Sequence, residues 1–263
     1  MAADVLADRA VGPGVRAGTV LLRAAGLVAE LAGLREREVN YDESDAPRHA
    51  RDPRWHVDSG YALLGTEPPG PPVAGGVWET ACALVRRYEF TDHRLLRGVF
   101  RPGDPLLGRD MLLEGRYLAL RFYLGVRVTD VVDAEHANPG GRERVWGWTY
   151  RTLQGHLEQG ELSYEVVKDL ETGAVTFWIH AYSRRGPIPN PIIRLGFRLF
   201  GRDTQLRFYR RVGRRMHRLV KDHRQGAPLP GPVPLEDGSA IAPSTTRMRW
   251  WDPIALPLRH PGR

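Results

Sequence analysis

The chain has 263 residues, of which 42% are hydrophobic and 26% charged, a globular mixture that excludes disorder of the whole chain and suits one or two domains. Its single cysteine, Cys82, cannot close an internal disulfide, which excludes a secreted, stapled fold. The net charge of +7 is unevenly spread: residues 184–224 hold thirteen Lys and Arg against the two acids Asp203 and Asp222, and residues 1–183 are net acidic.

The N-terminus opens with Asp4 and Asp8 rather than a basic region. Its apolar stretch Val20–Leu34 is interrupted by Arg23 and Glu30, and it falls short of the roughly 20 apolar residues that cross a bilayer. No signal or membrane segment is expected here, and the expected location is cytoplasmic. Val20, Leu21, Ala24, Leu27, Val28, Leu31 and Leu34 recur at spacings of three and four, which predicts an amphipathic helix appended over residues 1–40. It packs on its own domain, pairs with a second copy, or touches a membrane.

Residues 41–60 are polar and read as a loop, followed by a short strand over Tyr61–Leu64. The run Pro68, Pro69, Gly70, Pro71, Pro72 breaks the chain. Val77–Tyr88 then predicts a helix, in which Cys82 is a small buried hydrophobe, and Arg94–Phe100 a second short one.

From Asp110 to Ser183 the hydrophobic period changes from 3.6 to 2. Five strands are expected, over Leu112–Arg121, Tyr123–Val132, Val145–Tyr150, Glu161–Lys168 and Ala174–Tyr182, joined mostly by short turns such as Thr172–Gly173. Short turns imply an antiparallel meander. A long helix over Ile192–His223 follows, with Leu195, Leu199, Leu206, Tyr209, Val212, Met216 and Leu219/Val220 on one face and Arg198, Arg202, Arg207, Arg211, Arg214, Arg218 and Lys221 on the rest; Gly201 is a possible break. Residues 225–263 read as a Pro-rich tail from which Trp250 and Trp251 can dock back.

The expected fold is therefore α+β: an antiparallel sheet wrapped around one long C-terminal helix, with residues 41–224 as the domain. One helix covers a curved sheet incompletely, and the gap left between them is a site for an apolar ligand. This element order is the helix-grip arrangement of the START and Bet v 1 type.

Residues 146–161, Trp-Gly-Trp-Thr-Tyr-Arg-Thr-Leu-Gln-Gly-His-Leu-Glu-Gln-Gly-Glu, together with residues 175–185, Val-Thr-Phe-Trp-Ile-His-Ala-Tyr-Ser-Arg-Arg, and the basic helix resemble the DUF1990 family. Its pattern has an aromatic strand ending in a Leu-x-Gly-His turn, a Glu-x-Gly-Glu strand start, and a late strand closing with an aromatic residue and Ser. The likeness extends over about residues 60–222. It implies membership of the START and Bet v 1 (SRPBCC) superfamily, many members of which hold lipids, isoprenoids or polyketides, and it supplies no reaction.

His156 and Glu158 are the sharpest polar pair, a general base beside a carboxylate or a turn histidine bonded to backbone. Trp146, Trp148 and Tyr150 on one strand and Trp178, His180 and Tyr182 on another are candidate cavity wall, or alternatively core or a cross-strand ladder. Glu114 and Arg116 form either a solvent-facing pair or a buried anchor. No metal-ligand spacing, phosphate loop or dinucleotide fingerprint occurs, so no metal and no cofactor are expected. The arginine stripe reads as a solvated face or as a seat for an anionic membrane surface; it lacks the aromatic interleaving of a nucleic-acid module. The leading expectation is a protein that binds an apolar or amphipathic small molecule between sheet and C-terminal helix. The alternatives are a hydrolase or cyclase using His156 and Glu158, and a membrane- or partner-docking protein.

Overall fold

Period-two alternation makes the middle of the chain into a single sheet, shown by a computed structural model that describes residues 27–46, 53–117, 120–138, 140–187, 191–245 and 256–258, with backbone alone at 117, 120, 138, 191–206 and 256–258. The elements run α1 (27–33), β1 (His56–Thr66), α2 (Val77–Arg86), β2 (Leu96–Phe100), β3 (Asp110–Tyr117), β4 (Leu120–Asn138), β5 (Gly141–Thr152), β6 (Glu158–Asp169), β7 (Ala174–Arg185), α3 (Pro191–Arg224), β8 (Val233–Pro234), β9 (Ala240–Ala242) and β10 (Leu256–Leu258). The strand order is β1-β7-β6-β5-β4-β3-β2-β9-β8, with antiparallel neighbours, while β10 pairs with β4 in parallel. The five expected strands are β3 to β7, and the long C-terminal helix grips their concave face. This is the helix-grip fold.

Four local expectations change. Within the expected helix Arg94–Phe100, Leu96–Phe100 form strand β2 after a turn, because Val99 and Phe100 pair with β3 on one side and β9 on the other, and sheet pairing overrides a weak helical pattern. Part of the expected loop before Tyr61 is strand, since β1 begins at His56. The tail adds β8 and β9 to the sheet. The backbone of α3 continues through Gly201 without a break. Trp250, Trp251 and residues 20–26 of the N-terminal stripe lie outside the described residues.

Parity along each strand sorts side chains between two faces. The inner face meets α2 and α3: Trp146, Trp148, Tyr150, Tyr164, Val166, Phe177 and Ile179 share one core with Val77, Leu84 and Val85 of α2 and Phe208, Val212, Met216 and Val220 of α3. The outer face carries a smaller cluster in which Leu27, Leu31 and Leu34 pack on Val99, Leu112 and Leu153. The end of the N-terminal helix therefore packs on its own sheet. Glu114 is a buried anchor on that face, 2.7 Å from Arg97, 3.5 Å from Arg121 and 3.6 Å from Arg116.

Across the inner face, the C-terminal end of β6 is sealed. Lys168 and Glu67 pair there, and the Glu67 carboxylate also accepts from the Trp78 N–H at 2.8 Å and the Val73 N–H at 3.2 Å, holding the start of α2. Cys82 is buried within α2, and burial pushes its thiol pKa up.

Candidate functional site

Register places the aromatic residues of β5 directly beside those of β6: Trp148 is opposite Tyr164, and Tyr150 opposite Leu162. From the other side come Tyr88 and Phe90, which follow α2 and insert between it and the sheet. Tyr88 adopts a left-handed φ of 58°, which turns the chain out of the helix and sends the ring over Gly98. Ring centroids of Phe90 and Tyr164 are 4.5 Å apart, those of Trp148 and Tyr164 5.1 Å, and those of Phe90 and Phe177 5.6 Å. The Trp148 indole N–H donates to the Val85 carbonyl at 3.3 Å. The centre of the concave face is therefore filled by the protein's own aromatic side chains, under the second half of α3.

The opposite end differs. Where β1, β6, β4 and β2 begin and β7, β5 and β3 finish, inward-facing apolar side chains stay half-buried: Leu95, Leu96, Phe122, Leu124, Leu162 and Tyr209. The second half of α3 follows β1, with Tyr209 over Gly60 and Gly213 beside Ala62, and His217 Nδ1 lies 3.0 Å from the Leu63 carbonyl oxygen. Continuing from Tyr209 away from Leu63, residues 191–206 carry the helix backbone toward this open end, at about 1.5 Å per residue.

Three tyrosines belong to the packed centre. Burial raises the pKa of Tyr88, Tyr150 and Tyr164, so all three stay protonated at neutral pH. Their hydroxyls are near enough to perturb one another. Tyr164 acts as a hydrogen-bond partner of both Tyr88 and Tyr150, although the Tyr88 and Tyr164 hydroxyls fall outside ideal hydrogen-bond geometry. On Tyr150, burial raises the pKa most, the hydrogen bond with Tyr164 opposes it, and the Glu158 carboxylate adds a smaller upward push.

Trp146, Trp148 and Tyr150 thus face the concave side and are buried there. Trp178, His180 and Tyr182 do not share that wall. On β7, Phe177, Ile179 and Ala181 alternate with them and turn inward, so the second aromatic stripe faces the outer side. Two strands of one sheet can carry similar stripes on opposite faces, because the register decides which parity points in. On the outer side Trp178 is tilted against the exposed Tyr61 at 5.0 Å and stacks with His180 at 5.6 Å. Tyr182 contacts the Tyr41 hydroxyl at 3.0 Å and stands edge-on to Trp55 at 5.2 Å. That side chain fastens the segment before β1.

His156 is buried in the turn before β6. Its Nδ1 lies 2.9 Å from the Glu158 amide nitrogen and 3.0 Å from the Glu158 carbonyl oxygen, so the ring is tied to the backbone of Glu158 rather than to its carboxylate. Burial drives its pKa down to about 4, against the smaller opposing pull of that backbone contact. The expected base–carboxylate dyad is not formed in this geometry.

Tyr88, Phe90, Tyr164 and the Lys168–Glu67 pair were not singled out from sequence. Period two in β6 places Tyr164 inward with Leu162 and Val166, a legible signal. Nothing local marks Tyr88, whose position depends on a left-handed backbone.

The fold can now be set beside known proteins. Among solved structures, the Ara h 8.0201 crystal structure aligns with 64% of this chain and 99% of its own at 9% identity and a TM-score of 0.38. A point mutant of Thalictrum flavum norcoclaurine synthase in complex with a transition-state analogue aligns with 65% and 96% at 8% identity and a TM-score of 0.37. Human STARD10 aligns with 91% and 98% at 8% identity and a TM-score of 0.35. No curated protein matches. The family model described as a domain of unknown function, DUF1990, matches residues 40–215, and the chain belongs to that family.

Proposed function

We propose that the protein holds an apolar or amphipathic small molecule, of lipid, isoprenoid or polyketide type, at the open end of the concave face beneath the first half of α3. The supporting observation is the contrast along that face. Val166, Val175 and Phe177 are fully buried, while Leu124, Leu162, Leu95 and Leu96 keep part of their apolar surface uncovered. Covering such surface is worth about 25 cal/mol per Å², and in this fold the helix overhead forms the second wall of a concave site. Native mass spectrometry of protein purified without detergent tests the proposal. Adduct masses released on denaturation are expected. A clean apo mass, with no thermal shift across fatty acids, isoprenoid alcohols and phospholipids, would remove it.

A second use of the molecule is favoured by one observation. Arg207, Arg214, Arg218 and Lys221 are exposed on α3, on the side opposite Phe208, Val212, Met216 and Val220. Such a ridge suits an anionic membrane surface, each cation near it adding about 1 kcal/mol. Co-sedimentation with phosphatidylserine vesicles should be strong at low salt and fade as ionic strength rises; salt-independent association, or none, counts against it.

A further inference from the structure

Strand β4 extends past the end of its neighbour β5. Thr152, the last residue of β5, pairs with Val126, and Leu153 then donates its N–H to the Gly125 carbonyl at 3.0 Å as the chain joins the outer cluster. Residues 120–124 are left without a β5 partner, although β3 pairs with them on the other side. This edge lies at the open end, beside the half-buried Phe122 and Leu124. Strand β10 fills part of it: Leu256, Pro257 and Leu258 run parallel to Leu120, Arg121 and Phe122. The attachment is slight. β10 has three residues, parallel pairing is slightly the less stable kind, Pro257 has no N–H to give, and β4 is its sole strand partner among the described residues. The tail before it is held more firmly. β9 pairs with both β2 and β8, and Ser244 donates to the Glu89 carboxylate from its N–H at 2.9 Å and from its hydroxyl at 3.0 Å. Residues 245–255 join this fixed point to β10, a length of chain that reaches roughly 35 Å when extended.

We propose that β10 is a detachable strap across the mouth of the ligand site: it leaves the β4 edge to admit an apolar guest and returns to hold it. This rests on the ligand site proposed above and adds how that site opens. Leaving breaks few hydrogen bonds, and the backbone groups it frees on β4 and β10 bond to water instead. Return is favoured because the Ser244 contact keeps the loose end nearby, which raises its effective concentration at the edge. In place, the strap also covers backbone groups that β4 would otherwise present to another chain.

Stopped-flow mixing with cis-parinaric acid, a fatty acid whose fluorescence rises in apolar surroundings, tests the strap on the full chain and two variants. Deletion of residues 256–263 should speed uptake and release of the probe about tenfold, as for a strap that is open about a tenth of the time. The deletion should leave the melting temperature close to wild type, because β9 and the Ser244 contact remain. Leu120→Cys combined with Leu256→Cys puts thiols on directly paired strand positions, within the span of a disulfide, and burial keeps Cys82 out of the exchange. Oxidised, this protein should take up the probe at least about tenfold more slowly than the same protein reduced with dithiothreitol. If the deletion variant fails to fold, the comparison of oxidised with reduced protein carries the test. Rates that neither deletion nor cross-link changes, with the probe still bound, overturn the strap and leave the ligand site standing. No binding of the probe by any of the three proteins overturns the site and the strap with it.

Discussion

The Lys168 ammonium lies 2.7 Å from the Glu67 carboxylate with both side chains buried at the sealed end of the sheet. Burial works to raise the Glu67 pKa, but Lys168 and the amides of Trp78 and Val73 outweigh it and hold the carboxyl below its ordinary value. Its contribution to stability is therefore present above the ordinary carboxylate range and is lost as pH falls through the lowered value. Lys168→Met strands the carboxylate and should cost about 3–5 kcal/mol in urea unfolding at neutral pH. The deficit should shrink toward pH 4, where Glu67 in the variant takes up a proton. A pH-independent deficit would mean that Lys168 acts through packing alone.

His156 supplies a second pH dependence. Its ordinary value of 6.5 falls to about 4 in the folded protein. Between those values the unfolded chain binds the proton that the folded one refuses. Stability is thus full above pH 6.5 and declines on acidification by about 1.4 kcal/mol per pH unit, roughly 3 kcal/mol in all. His156→Gln should flatten that part of the profile while lowering stability at pH 7, because the turn contact is altered. Unchanged acid sensitivity in the variant would assign the effect to other groups.

The two faces of the sheet predict opposite consequences for large substitutions. Leu162→Trp fills the open end and should weaken binding of the fatty acid, isoprenoid alcohol or phospholipid that gives the thermal shift at least tenfold, with a modest change in stability, on the order of 1–3 kcal/mol. Trp178→Ala on the outer face should leave that affinity within twofold of wild type. Fluorescence or calorimetric titration of both variants decides whether the concave or the outer face holds the guest.

Gly98 permits the approach of Tyr88. A Cβ there would lie 2.8 Å from the Tyr88 ring, so Gly98→Ala should destabilise by about 1–3 kcal/mol. Combining it with Tyr88→Leu should recover part of the loss, a coupling measurable by a double-mutant cycle. Strict additivity would show that the ring and Gly98 do not press on one another.

Sequence carried the outline of the molecule. A hydrophobic period of two over residues 110–183 and of 3.6 over the basic segment depends on neighbours within a few residues, so β3 to β7 and α3 are legible. Strand β2 was not: its five residues hold their form only by pairing with β3 and β9, and β9 lies more than 130 residues later. The same limit applies to the candidate site. Trp146 and Trp178 present equivalent local patterns, yet one is 3% exposed in the core and the other stacks on His180 on the outer face.

The sequence by itself determined the strands β3 to β7, the long cationic helix that follows them, and which family pattern residues 146–161 carry. Tertiary structure alone decided which parity of each strand faces the helix, that Tyr88 and Phe90 occupy the centre of the concave face, and that His156 bonds to backbone. The difference is physical. Periodicity is written in local spacing, whereas facing, filling and hydrogen-bond partners follow from register and from a left-handed residue whose effects appear only when distant strands meet.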